Sequence, residues 1–326
     1  MFRFLTVFFS FIILMSCTGQ SKEDAALSEP PYDKKKESIR NTPDNADLYY
    51  RRAGLLYSNN QQNFAEADLR KAWQLNPKEE YALSLVTILK QKNTDSAIQF
   101  IQGALKKLPE SIALRIGLAR GYQQKNDLPK AMQICDEIIA SYPNELDALI
   151  LKSDILKSLN REPESLAILE QAHYLAPLDK DLAYDLAYEY ADTKNPKAIA
   201  LSDTLIKRDN TETVARAFYV KATYYNNAGN NKEALSNYDS AITHDYNFLD
   251  AYLDKGKLQY NNNQYADAAK TFQLALRIAP ATPDFYFWLG KVQQASGNRS
   301  EAKLNYQRAY GLDKSMTQAK EAADKL

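Results

Sequence analysis

Apolar residues return along this chain at a nearly constant interval, in eight successive copies of one pattern. Each copy begins with a small residue, and these are Ala65, Ala97, Ala131, Ser165, Ala198, Ala234, Ala268 and Ala302. Four residues later, seven of the copies carry a large side chain or a cysteine, at Leu69, Ile101, Cys135, Leu169, Tyr238, Phe272 and Tyr306. Seven residues after the small residue stand Ala72, Ala104, Ile138, Ala172, Leu205, Ala241, Ala275 and Ala309. Because such positions share one face of a helix, each copy predicts an amphipathic helix.

A second amphipathic run precedes each of these helices, and polar turns separate the two. Asn59-Asn60, Ala228-Gly229-Asn230 and Asn261-Asn262-Asn263 are such turns, so each copy predicts a hairpin of two helices. In the fifth copy the turn is one residue short. The copies close at Pro77, Pro109, Pro143, Pro177, Asn210, Tyr246, Pro280 and Lys314, at intervals of 32, 34, 34, 33, 36, 34 and 34 residues.

A period near 34 residues with paired helices resembles the tetratricopeptide repeat. The two most similar copies carry Tyr252, Gly256, Tyr265, Ala268, Phe272, Ala275 and Pro280, then Tyr286, Leu289, Gly290, Gly297, Ala302, Tyr306 and Ala309. The resemblance covers about residues 44–314. It implies an all-α fold, a right-handed α-solenoid of about eight helical hairpins. Residues 315–326 are amphipathic and predict a C-terminal capping helix, which covers the apolar end of such an array.

The first residues have the features of a secretory leader. A positive start at Arg3 precedes an apolar run from Phe4 to Met15, which is too short to span a bilayer. Leu14-Met15-Ser16-Cys17 resembles the lipobox of bacterial lipoproteins. By that resemblance, residues 1–16 are a signal peptide and Cys17 is the acylated first residue of the mature protein. Residues 17–43 contain few large apolar side chains, and we expect them to form a flexible tether.

The charge balance and the reactive residue types limit the classes of function that the sequence favours. Lys plus Arg equals Asp plus Glu at 41 each, so no basic field favours a nucleic acid. Cys135 occupies an apolar repeat position and predicts a buried, inert thiol, while His173 and His244 fall near the ends of second helices. The sequence has no Gly-rich phosphate loop and no cluster with metal-ligand spacing. We therefore expect neither an enzyme nor a cofactor or metal site.

The resemblance implies a partner-binding groove on the concave face, lined by the first helix of each hairpin. The residues that map to this face are Tyr50, Tyr57, Ile116, Arg120, Ile150, Asp154, Tyr184, Tyr188, Tyr219, Thr223, Leu253, Lys257, Phe287 and Lys291. The family's carboxylate clamp would need Lys, Asn and Arg where this chain mostly has Tyr, Ile, Leu and Phe. Aromatic positions flanked by single charges favour a peptide with apolar anchors.

Two functions follow from these features. One is a lipid-anchored scaffold or adaptor of the bacterial envelope, attached to the outer membrane, which holds a protein partner in its groove. The other is a ligand-binding lipoprotein of a nutrient-uptake system, whose tyrosines would stack on sugar rings. The second hypothesis predicts affinity for free glycans without any protein partner.

Overall fold

The computed structural model describes residues 30–208 and 212–326, and in that part of the chain the regular secondary structure is helical throughout. The helices are α1 (Asp33–Asn41), α2 (Ala46–Ser58), α3 (Gln62–Leu75), α4 (Glu79–Lys92), α5 (Thr94–Leu105), α6 (Ile112–Gln124), α7 (Leu128–Ser141), α8 (Leu146–Ser158), α9 (Glu162–Leu175), α10 (Lys180–Asp192), α11 (Lys197–Arg208), α12 (Glu212–Asn227), α13 (Asn231–His244), α14 (Leu249–Asn261), α15 (Tyr265–Ile278), α16 (Pro283–Ala295), α17 (Arg299–Leu312) and α18 (Thr317–Asp324). The predicted all-α fold is confirmed.

From α2 to α17 the helices form eight hairpins, one for each copy of the sequence pattern. In hairpins such as α2/α3, α12/α13 and α16/α17 the two helices pack along each other, and α18 packs on α17. The chain divides into an N-terminal unit that ends at Ile138 and a C-terminal unit that runs from Ile139 to Leu326. Each unit has its own buried apolar clusters.

The recurring positions of the sequence are the core of the hairpins. All of the small, large and final apolar residues of the eight copies are at most 6% exposed. Small residues on first helices meet large residues on second helices: a Cβ atom added to Gly290 would lie 2.8 Å from the Tyr306 ring. The close approach of the two helices therefore depends on a small residue facing a large one.

Turns within the hairpins use left-handed backbone conformations. Seven of the eight turns contain one residue with φ between 54° and 83°, at Asn60, Asn126, Asn160, Lys194, Gly229, Asn263 and Gly297. Asparagine and glycine tolerate this region best, which explains why they recur there. Lys194 precedes its small residue Ala198 by four positions, whereas the others precede theirs by five. This confirms the shortened turn of the fifth copy. In the second hairpin, Asn93 alone links α4 to α5.

The prediction of flexible chain as far as residue 43 is wrong for its last part. Asp33–Asn41 is a helix, and Tyr32 and Ile39 are each only 8% exposed. Tyr32 packs in the cluster that contains Ala53 and Leu56 of α2. Two buried apolar side chains are enough to hold this charged segment against the first hairpin. A count of apolar residues along the chain underestimates the order of the segment, because the count ignores the surface that the hairpin offers.

The sequence also predicts a signal peptide at one end of the chain and a capping helix at the other. The predicted signal peptide, and Cys17 with it, lie outside the described residues. At the other end, α18 lies within the predicted capping segment and buries Ala319 and Ala323. Within residues 30–208 and 212–326, none of the helices has the length and apolar character needed to cross a membrane.

Candidate functional site

The first helices of the C-terminal unit form a groove of about 360 Å³, which we call the tyrosine groove. Side chains from α8, α10, α12 and α14 line it, together with one residue of α9. The lining residues are Ile150, Ser153, Asp154, Lys157, Leu169, Tyr184, Asp185, Tyr188, Glu189, Tyr219 and Asp250. Because consecutive hairpins place their first helices next to one another, residues far apart in sequence meet on this one surface.

Three tyrosine rings form the aromatic part of the tyrosine groove. The ring centroids of Tyr184 and Tyr188 are 6.3 Å apart, and those of Tyr188 and Tyr219 are also 6.3 Å apart with nearly parallel planes. Tyr184 and Tyr188 are half-buried. Tyr219 is only 8% exposed, and its hydroxyl donates a hydrogen bond of 2.6 Å to Asp254. The groove thus offers broad ring surfaces with fixed positions, a good surface for apolar anchors.

Acidic side chains outnumber basic ones in the tyrosine groove. Asp154, Asp185, Glu189 and Asp250 supply four carboxylates, and Lys157 supplies the one ammonium group among the lining residues. Lys157 forms an ion pair with Glu189. The groove is therefore negative in sum.

Two cations beside these rings show a common geometry. The guanidinium carbon of Arg216 lies 3.7 Å from the centroid of the Tyr184 ring, and its Nη1 donates to Asp181 at 2.8 Å. Lys157 Nζ, paired with Glu189, lies 5.5 Å from the centroid of the Tyr188 ring. In both cases a tyrosine face and a carboxylate hold the same positive charge.

Partial loss of hydration shifts the pKa values of ionisable side chains in the tyrosine groove. Loss of water raises the pKa of Asp185, and Arg216 opposes this shift while Asp154 and Asp181 add to it. Desolvation, followed by the charge of Asp192, raises the pKa of Tyr188 to about 12. The phenols therefore remain neutral at physiological pH, and they act as hydrogen-bonding and stacking surfaces.

Of the residues that the sequence assigned to the concave face, the structure brings Ile150, Asp154, Tyr184, Tyr188 and Tyr219 into the tyrosine groove. Tyr50 and Tyr57 line a different concavity of about 300 Å³ in the N-terminal unit.

The remaining residues predicted for the concave face lie elsewhere. Arg120 is exposed on α6. Ile116 and Thr223 are buried and offer little surface to a partner. Thr223 lies one helical turn after Tyr219, and its hydroxyl donates to the Tyr219 carbonyl at 3.0 Å. The Thr223 hydroxyl therefore donates its hydrogen bond within its own helix.

The last two hairpins place the other predicted residues around Trp288. Lys291 Nζ lies 4.2 Å and Lys257 Nζ 5.8 Å from the Trp288 ring centroid. Phe287 stands edge-on to Trp288 with centroids 6.2 Å apart. Leu253 packs against the apolar cluster that contains Phe272. These side chains mainly cover the aromatic core of the C-terminal unit.

Most of the charged residues that line the groove were not predicted from the sequence. Asp185, Glu189, Asp250 and Lys157 line the groove, and Arg216 stacks on one of its rings. One signal was present, because Asp181, Asp185 and Glu189 follow one another at intervals of four residues and so share one face of α10. Asp250 comes from a helix two hairpins further along, and its position in the groove depends on how the hairpins stack.

Among the described residues, one cysteine and two histidines are of types that often serve in catalysis, and the structure shows the environment of each. Cys135 is fully buried and is not part of a disulfide. The His244 ring stacks on Phe218 with centroids 5.0 Å apart. Desolvation, with Arg208 second, lowers the pKa of His173 and favours its neutral form. In the part of the chain that the structure describes, no group of three or more His, Cys, Asp or Glu side chains is arranged to hold a metal ion.

Family models match in three segments, and each model is described as a tetratricopeptide repeat. They cover residues 89–155, 219–283 and 283–316. The protein therefore contains tetratricopeptide repeats. The first match contains the third hairpin completely and the second and fourth in part, and the other two matches together contain almost all of the last three hairpins.

Solved structures share the fold, and one of them is described as a tetratricopeptide repeat protein. A tetratricopeptide repeat protein from Parabacteroides merdae has a TM-score of 0.61 and 17% identity, over 75% of this chain and 97% of that one. The type IV pilus biogenesis factor PilW has a TM-score of 0.52 and 16% identity, over 61% of this chain and 92% of its own. At these identities the likeness concerns the fold alone.

Curated relatives carry similar repeats within longer proteins. The Hsp70-Hsp90 organizing protein of Triticum aestivum is 30% identical over 128 residues, which are 39% of this chain and 22% of that protein. A DnaJ homolog subfamily C member 7 homolog of Schizosaccharomyces pombe is 23% identical over 178 residues, 49% of this chain and 37% of that protein. The chain thus spans well under half the length of these relatives. Tetratricopeptide repeats and these relatives point to protein–protein interaction.

Proposed function

We propose that this chain is a lipid-anchored interaction module of the bacterial envelope, attached to the outer membrane, which binds a peptide segment of a protein partner in its tyrosine groove. It acts as a scaffold or adaptor and performs no chemistry itself. The coarse part of this proposal, protein binding, rests on the tetratricopeptide repeats. The finer parts rest on the N-terminal sequence and on the geometry of the groove.

Two observations support the envelope setting. Leu14-Met15-Ser16-Cys17 resembles a lipobox behind a short apolar run, and an acylated cysteine with three lipid chains would anchor a protein stably. PilW, which shares the fold, is a pilus biogenesis factor. Thr18, the residue after the cysteine, differs from the Asp that retains many lipoproteins in the inner membrane, which favours the outer membrane.

The observation that carries groove binding is the convergence of Tyr184, Tyr188 and Tyr219 beside a negative lining. Aromatic anchors in such a position contribute about 2 kcal/mol each when a partner covers them. Tyr184 and Tyr188 keep part of their rings accessible, whereas Tyr219 is held in the core by its contacts with Tyr238 and Phe248. The first two tyrosines are therefore the residues to test.

The test replaces Tyr184 and Tyr188 together by Ala and compares partner capture from the protein's own membranes. A matched control replaces Tyr142 and Tyr174, which belong to the same unit, lie outside the groove and are 40% and 84% exposed. We expect the groove variant to stay helical by circular dichroism and to lose a protein that the wild type and the control both retain. If all three forms retain the same proteins, binding occurs on another surface. If the groove variant loses an oligosaccharide and no protein, the nutrient-uptake hypothesis replaces the scaffold.

The anchor has its own test, because only Cys17 is expected to carry lipid. Metabolic labelling with a radioactive fatty acid should label the wild type and a Cys135→Ala control and leave Cys17→Ser unlabelled. Cys135 is the other cysteine of the chain and is buried. Equal labelling of Cys17→Ser and wild type would contradict the lipoprotein assignment without affecting the groove.

A further inference from the structure

We propose that the partner segment inserts an arginine or lysine side chain into the tyrosine groove, where Asp185 and Asp250 bind its charge and the rings of Tyr184 and Tyr188 pack on its stem. This inference rests on the proposed function and specifies the chemistry of the occupant: an extended basic peptide with apolar neighbours.

The lining of the tyrosine groove has an excess of negative charge. Lys157 is the one cation among the lining residues, and Glu189 already binds it. In the part of the chain that the structure describes, neither Asp185 nor Asp250 has a hydrogen-bond or ion-pair partner. Two carboxylates thus line the groove without an ion-pair partner, although the charges of Arg216 and Lys157 lie near enough to Asp185 to oppose the rise of its pKa. Charge complementarity selects a basic occupant over a neutral or acidic one.

The carboxylates on α10 are crowded, and their mutual repulsion destabilises the free protein. Asp181, Asp185 and Glu189 stand four residues apart on α10, and like charges at that spacing destabilise a helix. Arg216 and Lys157 relieve Asp181 and Glu189, the outer two of the three. Asp185, between them, keeps its charge uncompensated by an ion pair, which is the arrangement expected where a ligand supplies the cation.

The protein already holds two of its own cations on this surface in the proposed manner. Arg216 lies on the Tyr184 ring and donates to a carboxylate, and Lys157 does the same with the Tyr188 ring. Asp185 follows Tyr184 directly and lies one helical turn before Glu189. An incoming guanidinium or ammonium would repeat a ring-and-carboxylate geometry that the fold already holds twice.

The environment of Asp185 strengthens such a contact. Desolvation raises the pKa of this carboxyl group. Arg216 and Lys157 oppose this shift, while Asp154 and Asp181 add to it. A carboxylate that has lost part of its hydration, and that neighbouring carboxylates repel, gains more from a cation than a fully hydrated one does.

The experiment selects peptides from a randomised display library on the full lipidated chain in detergent. Parallel selections use the double variant Asp185→Asn with Asp250→Asn, and a matched control, Asp267→Asn with Glu301→Gln, which removes two exposed carboxylates outside the groove. A fourth selection uses Tyr184→Ala with Tyr188→Ala. Circular dichroism verifies that each variant is helical.

We expect the wild type and the control to enrich peptides with Arg or Lys beside apolar residues. On the Asp185/Asp250 variant the basic enrichment should disappear while the apolar preference remains. For one selected peptide, Kd should rise about tenfold or more on that variant, and replacing its Arg by Gln should have the same effect on the wild type.

The outcomes separate this inference from the proposed function. The wild type could instead enrich acidic peptides, or apolar peptides without basic residues, and the tyrosine variant could lose them. In that case peptides bind in the groove as proposed, and the basic occupant is wrong. If basic peptides bind the Asp185/Asp250 variant as well as the wild type, the assignment to these carboxylates is wrong. If the tyrosine variant enriches the same peptides as the wild type, or the wild type enriches none, both proposals fail.

Discussion

Gly256→Ala tests whether close helix packing holds the repeats together. Gly256 lies in the interior of α14, opposite Phe272 of α15. An alanine Cβ at this position would lie 2.4 Å from the Cε1 and Cζ atoms of the Phe272 ring. Ordinary carbon contacts are about 3.5 to 4 Å, so the ring or the helix would have to move by about 1 Å.

Two opposing effects set the magnitude. Alanine is favoured over glycine inside a helix by about 1 kcal/mol, whereas overpacking a well-filled core costs about 1 to 3 kcal/mol. Phe272 is completely buried, and its ring centroid is 6.4 Å from those of both Phe285 and Trp288. Since rings on two sides restrict its movement, we expect overpacking to win and Gly256→Ala to lower the free energy of unfolding.

Gly54→Ala is the matched control. Gly54 occupies a similar position within α2, a first helix of the same length, and an added Cβ would meet nothing within 4 Å. The helix preference then acts alone, and we expect a gain of up to about 1 kcal/mol. The difference between the two variants should therefore be about 1 to 3 kcal/mol, which is the packing contribution by itself.

The two tryptophans of the chain make the assay specific for each unit. Trp73 lies in α3 of the N-terminal unit and Trp288 in α16 of the C-terminal unit. Urea unfolding followed by fluorescence in Trp73→Phe and Trp288→Phe backgrounds reports each unit separately, which matters because repeat arrays can unfold in parts. Gly256→Ala should lower the midpoint seen by Trp288. If both glycine variants stabilise their units equally, the packing argument is refuted.

Three further predictions concern charged and polar contacts. Asp68→Ala should destabilise the N-terminal unit by about 3 to 5 kcal/mol, because it leaves Arg52 buried without a carboxylate partner. In the wild type, Nε and Nη2 of Arg52 donate to this carboxylate at 2.7 and 2.6 Å. Trp73 fluorescence measures the effect, and an unchanged unfolding midpoint would contradict this prediction. Tyr219→Phe should cost about 1 to 2 kcal/mol in thermal unfolding, since Asp254 loses a donor, and a variant as stable as the wild type would show that this bond is dispensable. Asp185→Asn should stabilise the free protein at pH 7, by less than about 1 kcal/mol because the residue, although its neighbours remove part of its hydration, remains exposed to solvent. Its pKa is raised in the folded state, so the charged form opposes folding above that pKa, and the gain should disappear below about pH 4, where both states are protonated; a gain that persists at pH 3 would contradict this reasoning.

The sequence by itself determined the hairpins and their register. Ala268 and Phe272 are four residues apart on one helix face, and both are fully buried as that spacing predicts. The reason is local: helix periodicity places such residues together whatever lies around them, and a small residue opposite a large one sets the distance between paired helices. Asn60 and Gly229 likewise take the left-handed turns that their residue types favour.

Only the tertiary structure decided which side chains form the tyrosine groove. Asp154, Asp185 and Asp250 stand on helices of three different hairpins, and stacking of the first helices brings them to one surface. Tyr184 and Tyr219 occupy equivalent predicted positions, yet one is half-buried and the other is held in the core by its neighbours and by Asp254. Tyr32 and Ile39 dock a segment that composition predicts to be flexible. In each case the outcome depends on contacts between hairpins, which helix periodicity leaves undetermined because it fixes only which face of each helix is apolar.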